Sequence, residues 1–254
     1  MTTNSSDETR NTILGGRLTL IQPRRGYRFS VEAILLGRFA RAGARDRVLE
    51  LGAGCGVISI MIAALARPRQ VVAIELQPHL AEMIARNAEL NDLKSIRPIC
   101  ADIRTRSIAT VEPASFDLIV ANPPYRAHAT GRENPDRGRR LARGESTATV
   151  ADFVAAARRY GRRSARVAFI FTARRAAELI STMRSKRLEP KRIRFVHPTR
   201  AMPASVVMIE ARVEGGIEVT VEPPLILYEA PGIYTKEALA ILNSWSIDCN
   251  IDSK

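Results

Sequence analysis

Apolar positions in this chain fall into short unbroken runs separated by helical stripes. Arg47–Leu51, Gln70–Leu76, Ser95–Ala101, Phe116–Ala121 and Arg166–Thr172 are short runs, mostly apolar and bounded by turn residues. They predict buried strands. Between them, Val57–Ala66 predicts a helix stopped before Pro68, and Pro78 opens a second helix to about Leu90. Further helices are predicted around Val150–Tyr160 and over Arg174–Arg187, and late strands over Arg192–Val196 and Val206–Val213. This alternation implies an α/β fold with a mainly parallel, helix-covered sheet.

The flanks carry weaker signals. Met1–Thr12 is polar and reads as a disordered tail, and the stretch 246–254 reads as a tail. Residues 13–245 read as one domain, in which 13–46 forms an N-terminal hairpin and helix extension. Gly15-Gly16 marks a turn, Arg17–Ile21 alternates as a strand does, and Pro23–Gly26 is a basic turn. Ser30 is an N-cap candidate for a helix burying Val31, Ile34, Leu35 and Phe39. No internal repeat is visible.

Arg126–Thr149 breaks the pattern. It is nearly devoid of apolar residues and carries six arginines, Arg126, Arg132, Arg137, Arg139, Arg140 and Arg143. A loop of this length within one domain is usually functional or disordered. The expectation is a mobile arm that grips phosphate and orders on substrate binding. The alternative is a solvated insertion.

Composition adds a partner. The 254 residues carry 39 Lys and Arg against 26 Asp and Glu, a net charge of +13. That field favours nucleic acid or another anionic surface and does not bear on the fold. The runs at Arg158, Arg159, Arg162 and Arg163 read as helical faces that bind RNA or are simply solvated. Cys55, Cys100 and Cys249 form no close pair, which points to a reducing compartment without a disulfide framework. His79, His128 and His197 have no zinc-ligand spacing with them, so no metal is expected. Met1–Arg10 lacks the apolar stretch of a signal peptide, and Val57–Ala66 is too short to span a bilayer. These features imply a soluble cytoplasmic protein without membrane contact, taken as a monomer.

The chemistry concentrates after Phe116–Ala121. Proline cannot donate to a ladder, so Asn122-Pro123-Pro124-Tyr125 must leave the sheet at this strand's end. The Asn122 amide and the Pro123 carbonyl can accept both hydrogens of a planar NH2 group. The Tyr125 ring can stack on its face. Upstream, Glu50-Leu51-Gly52-Ala53-Gly54-Cys55-Gly56 forms a glycine turn between the first strand and helix of the alternation. Val57 stands where the dinucleotide fingerprint has its last glycine. Successive strand ends carry Glu50 with the turn, then Glu75, then Asp102. In a parallel sheet those ends gather at the ligand-binding edge. Glu75 can accept from both hydroxyls of a ribose, Asp102 from an adenine amino group, and Glu50 can reach an ammonium. The alternatives are an exposed strand-end acid for Glu75, a turn or N-cap role for Asp102, and fixing of the glycine loop for Glu50. No glycine-rich lysine loop is present, which disfavours P-loop phosphoryl transfer.

The segment Glu50–Gly56 resembles motif I of the class I S-adenosylmethionine-dependent methyltransferases, and Asn122–Tyr125 resembles their amino-group motif. This resemblance covers about Arg47–Val213. It implies a Rossmann-like methyltransferase fold with a mainly parallel seven-stranded sheet and helices on both faces. It also implies S-adenosyl-L-methionine as cofactor, bound through Glu50, Gly52, Gly54, Gly56, Glu75 and Asp102, with Asn122, Pro123 and Tyr125 as catalytic residues. Three further segments, Gly26–Leu36, Ala142–Glu145 and Pro231–Thr235, resemble the bacterial valine-tRNA adenine-N6 methyltransferase family. That family modifies the adenosine beside the anticodon, so tRNA is the implied substrate. The chain departs from it in placing Arg126 after the motif, where an aromatic is expected.

The reaction implied is direct methyl transfer to an exocyclic amine, with positioning as the main contribution. No side chain stands out as a general base. A release-factor type protein-glutamine methyltransferase shares both motifs. Fewer than about fifty residues precede motif I, however, which leaves no room for that family's helical bundle. Ribosomal-RNA or DNA amino-methyltransferases, and a non-catalytic RNA-binding relic, are further alternatives. No duplicated or target-recognition domain is visible, and the intact Asn122–Tyr125 argues against the relic.

Overall fold

Alternate residues of each central strand face opposite cores, and this period of two organises the molecule. In the computed structural model, residues 7–25, 29–125 and 148–244 are described. The expected arm over Arg126–Thr149 lies, up to residue 147, outside them, as do the tail 246–254, residues 1–6 of the other tail, the first three residues of the segment Gly26–Leu36 and all of Ala142–Glu145.

The chain opens with an antiparallel hairpin, β1 (Glu8–Ile13) and β2 (Leu18–Pro23), followed by α1 (Val31–Phe39). The alternating unit then runs β3 (Arg47–Leu51), α2 (Val57–Ala66), β4 (Gln70–Glu75), α3 (Pro78–Leu90), β5 (Ile96–Cys100) and β6 (Phe116–Ala121). After the undescribed segment come α4 (Val150–Tyr160), β7 (Gly161–Thr172), a 3-10 turn at Ala173–Arg175, α5 (Ala176–Ser185), β8 (Leu188–His197) and β9 (Val206–Val213). Short strands β10 (Thr220–Val221), β11 (Leu225–Ile226), β12 (Tyr228–Ala230) and β13 (Ile233–Tyr234) lead to α6 (Lys236–Asn243).

The sheet order is β10-β8-β9-β7-β6-β3-β4-β5, with β11 also on β8. Seven long strands form it, as expected, and the two-residue β10 and β11 extend it to nine. Among the long strands only β9 runs antiparallel, pairing β7 and β8 in that sense. Val48, Leu118 and Val120 point into a core shared with the hairpin, α1, α2, α3 and α6. Leu49, Leu51, Ile119 and Ala121 point into the other, closed by α4 and α5. The sheet is therefore buried on both faces, as near-continuous apolar strands require.

Several bounds differ from the sequence reading. Glu8–Ile13 is a strand rather than part of a disordered tail. Its own residues are largely polar, and only Ile13 is buried. Its order comes from the ladder to β2 and from Arg86, which donates two 2.7 Å bonds to the Glu8 carboxylate. β7 starts at Gly161, directly after α4, and reaches its regular register through a bulge ending at Arg166. Arg162 and Arg163 therefore lie on a strand, not a helix face. β8 begins at Leu188 because the ladder tolerates Pro190 beside a bulge. Three of the four arginines singled out are tied internally. Arg158 pairs with Glu214, Arg162 with Asp117, and Arg159 donates to the Thr105 carbonyl at 2.6 Å.

Candidate active site

The register of the parallel strands brings the predicted residues to one edge. Leu51 pairs with Ile74 on one side and Ala121 on the other, and Glu75 pairs with Cys100. Gly52, Asn122 and the turns holding Gln77 and Asp102 therefore leave the sheet side by side at the carboxyl ends of β3, β6, β4 and β5.

The glycine turn is held by its own amides. Gly52 and Ala53 both donate to the Ile74 carbonyl at 2.9 Å, and Gly56 donates to that of Ala53 at 2.9 Å. Gly52, Gly54 and Gly56 all have positive φ, at 68°, 58° and 87°. Packing adds a second reason for two of them. A Cβ on Gly52 would lie 3.0 Å from the Phe153 ring of α4, and one on Gly56 would lie 3.0 Å from Ile84 of α3. Gly56 also caps α2.

Glu50 is fully enclosed. Its carboxylate accepts from the Ser59 amide at 2.9 Å and from the Ser59 hydroxyl, at the N-terminus of α2. Burial pushes its carboxyl up to about 8, against the Ser59 hydrogen bonds, and the nearby Glu75 charge raises it further. Glu75 is also buried, and its two oxygens accept from Gly54 at 2.8 Å and Gln77 at 2.9 Å. Both acids thus brace the loop around the turn, and a carboxylate oxygen retains a second lone pair for a ligand. Asp102 is half-buried in a turn. It accepts from the Arg104 amide at 2.9 Å and is bound by the Arg104 guanidinium at 2.6 Å. That guanidinium hydrogen bond holds its carboxyl below the usual carboxylate range. Of the six predicted cofactor contacts, Asp102 is the one held in an ion pair among the described residues.

Asn122 is half-buried, and its side-chain amide has no hydrogen-bond partner among the described residues. Pro123 is buried and Pro124 exposed. The Tyr125 ring packs edge-on against Phe171 at the end of β7, with centroids 5.7 Å apart. The Tyr125 carbonyl accepts from Arg175 at 3.0 Å. Arg175 is locked by two 2.6 Å bonds to Glu178 and lies 5.0 Å over the Phe171 ring. Residues 122–125 are therefore fastened at both ends, by β6 and by this clamp.

Sequence reasoning did not find Phe153, Ser59, Phe171 or Arg175. Phe171 carried a weak signal as an aromatic near a predicted strand end, and Arg175 carried none. Among the described residues no group of three or more His, Cys, Asp or Glu could hold a metal, and no helix is long and apolar enough to cross a membrane.

This sheet order and edge define a Rossmann-like methyltransferase fold. Solved structures of that fold superpose on the chain. A predicted O-methyltransferase from Agrobacterium tumefaciens matches with a TM-score of 0.68 at 22% identity, over 84% of this chain and 95% of its own. TYW2 of M. jannaschii, crystallised with AdoMet, matches with a TM-score of 0.56 at 16% identity, over 81% and 85%. The family model described as TRM5/TYW2 methyltransferase domain matches residues 36–131.

In sequence the chain is similar to proteins named tRNA1(Val) (adenine(37)-N6)-methyltransferase. The one from Tolumonas auensis is 32% identical over 124 residues, covering 48% of this chain and 49% of the relative. The one from Glaesserella parasuis is 34% identical over 109 residues, covering 42% and 45%. The chain thus spans about half the length of the relatives it matches.

Proposed function

We propose that this protein transfers a methyl group from S-adenosyl-L-methionine to the N6 amine of an adenine in tRNA, at the anticodon-loop adenosine beside the anticodon of tRNA(Val). The observation that supports this reading is the pairing of Leu51 with Ala121, after which Gly52 and Asn122 follow on neighbouring strands. The names of the similar proteins support the substrate, and the net charge of +13 suits an RNA. In this reading the protein works where tRNA is, in the cytoplasm.

The edge fits the cofactor on its donor set. Two buried carboxylates, Glu50 and Glu75, flank a turn of three left-handed glycines. A buried carboxyl raised to about 8 suits a nearby cation, which would draw it back toward ionisation. Glu50 and Glu75 would hold the amino acid and ribose parts, and Gly52, Gly54 and Gly56 would let the chain approach. Asp102 would accept from an adenine amino group by exchanging one of its bonds to Arg104, which meets both of its oxygens. S-adenosylmethionine, when bound, supplies an electrophilic methyl on a sulfonium.

The chain's own residues supply orientation. The adenine amine is a poor nucleophile because its lone pair is delocalised. Asn122 and the Pro123 carbonyl hold its hydrogens, turn the nitrogen toward the methyl, and favour the positive charge that develops there. Tyr125 packs on the base, an interaction worth about 1–3 kcal/mol. The reaction needs no metal in this reading, and the proton released can pass to water.

Incubation with methyl-labelled cofactor and unmodified total tRNA, followed by nucleoside mass spectrometry, tests this. N6-methyladenosine in a valine tRNA is expected. Label in release-factor glutamine instead would favour the protein-methylating alternative.

A further inference from the structure

Asn87 of α3 is completely buried, and its side chain joins three elements. Its Oδ1 accepts from the Ile21 amide at 2.7 Å, and its Nδ2 donates to the Ile21 carbonyl and to the Cys55 carbonyl, each at 2.9 Å. Ile21 lies on β2 of the hairpin. Cys55 lies inside the glycine turn, between Gly54, whose amide is held by Glu75, and the cap Gly56.

One turn along the helix, Asn91 repeats half of this pattern. It accepts from the Thr19 amide at 3.0 Å and donates to the Thr19 carbonyl at 2.8 Å. Four helical residues rise about 6 Å, and two strand residues rise about 6.6–6.8 Å. A primary amide offers a donor and an acceptor, as a peptide group does. Asparagines at i and i+4 therefore imitate a strand edge and pair with alternate residues of β2. Both asparagines dock the hairpin, and only Asn87 also touches the glycine turn.

We infer that Asn87 is a positioning residue that ties the glycine turn and the N-terminal hairpin to one point of α3, and that through its bond to the Cys55 carbonyl it helps set affinity for the nucleoside cofactor. Its bearing on the cofactor rests on the function proposed above. Its bearing on the turn rests on the hydrogen bonds alone. Loss of Asn87 removes the donor to Cys55 and frees the turn to leave the geometry the ligand needs. Loss of Asn91 loosens the hairpin and leaves that donor in place.

The test compares Asn87→Ala, Asn87→Asp and Asn91→Ala with the unaltered chain. Asn87→Asp keeps the acceptor for Ile21 and lacks both donors, setting an oxygen against the Cys55 carbonyl, and the readouts are taken on whichever Asn87 variant keeps a cooperative urea transition. Affinity for S-adenosylhomocysteine is measured by calorimetry, and hydrogen exchange is followed over β2 and residues 51–57. The Asn87 variants should bind at least tenfold more weakly, with faster exchange in both regions. Asn91→Ala should stay within about threefold, with faster exchange in β2 alone. Equal effects of Asn87 and Asn91 variants, or unchanged exchange over 51–57 in the Asn87 variants, would overturn the inference. Absence of binding by the unaltered chain would instead overturn the cofactor reading, and the exchange data would still decide the coupling.

Discussion

Arg175 donates to the backbone carbonyl of Tyr125 at 3.0 Å, linking the turn after β7 to the last residue of the Asn122–Tyr125 segment. Glu178 binds the other edge of the same guanidinium, so the donor cannot swing away freely. Arg175→Ala should slow methyl transfer by about 10–100-fold, as misplacement of a positioned group does. Its affinity for S-adenosylhomocysteine should be unchanged, because the glycine turn lies on different strands. Steady-state kinetics with a parallel binding titration separate the two. An equal loss of both would assign Arg175 to general stability.

Asn122 has no side-chain partner among the described residues, so its removal should barely touch stability. Asn122→Ala should lower kcat by about 10²–10³-fold, the scale for losing one preorganised polar group at a developing charge. The urea midpoint should stay within error of the unaltered protein. A large fall in the midpoint would make Asn122 structural.

Gly52 meets two constraints at once, a φ of 68° and the Phe153 ring 3.0 Å from where a Cβ would sit. Gly52→Ala should therefore destabilise by about 1–3 kcal/mol in urea unfolding. Adding Phe153→Leu should recover part of that, leaving the backbone strain. No recovery would show that contact with α4 is not the constraint.

Glu50 gives the protein a pH signature. Its carboxyl is raised to about 8 from an ordinary 4.5, so the folded state binds its proton more tightly than the unfolded chain. The resulting stability is fully present below the unfolded value and is lost as pH rises through about 8. Across that window the ligand-free protein should weaken with a slope of up to about 1.4 kcal/mol per pH unit from this group. Glu50→Gln should flatten the slope. Urea unfolding at several pH values checks this, and an identical slope in the variant would show that Glu50 is ionised when folded.

The legible parts of the chain were those whose physics is local. Phe116–Ala121 and Val57–Ala66 are apolar runs with proline or glycine at their ends, and the folded elements have those same bounds. Gly52, Gly54, Gly56 and Glu75 sit together because parallel strands align their carboxyl ends, a consequence of the fold class. What could not be read depends on distant partners. Glu8–Ile13 is polar and becomes a strand only because β2 and Arg86 hold it. Asp102 read as an acceptor for an adenine amino group or as a turn residue, and the Arg104 that binds it from two residues on was not anticipated. The Arg175 donor reaches across fifty residues to Tyr125, and nothing in its local pattern marks it.

The most direct test of the central claim is methyl transfer to transcripts of tRNA(Val) that differ only at the adenosine beside the anticodon. Transfer to the adenosine transcript, with N6-methyladenosine as the sole product, and none to a transcript carrying guanosine there, is predicted. Equal labelling of both transcripts, or of neither, would contradict it.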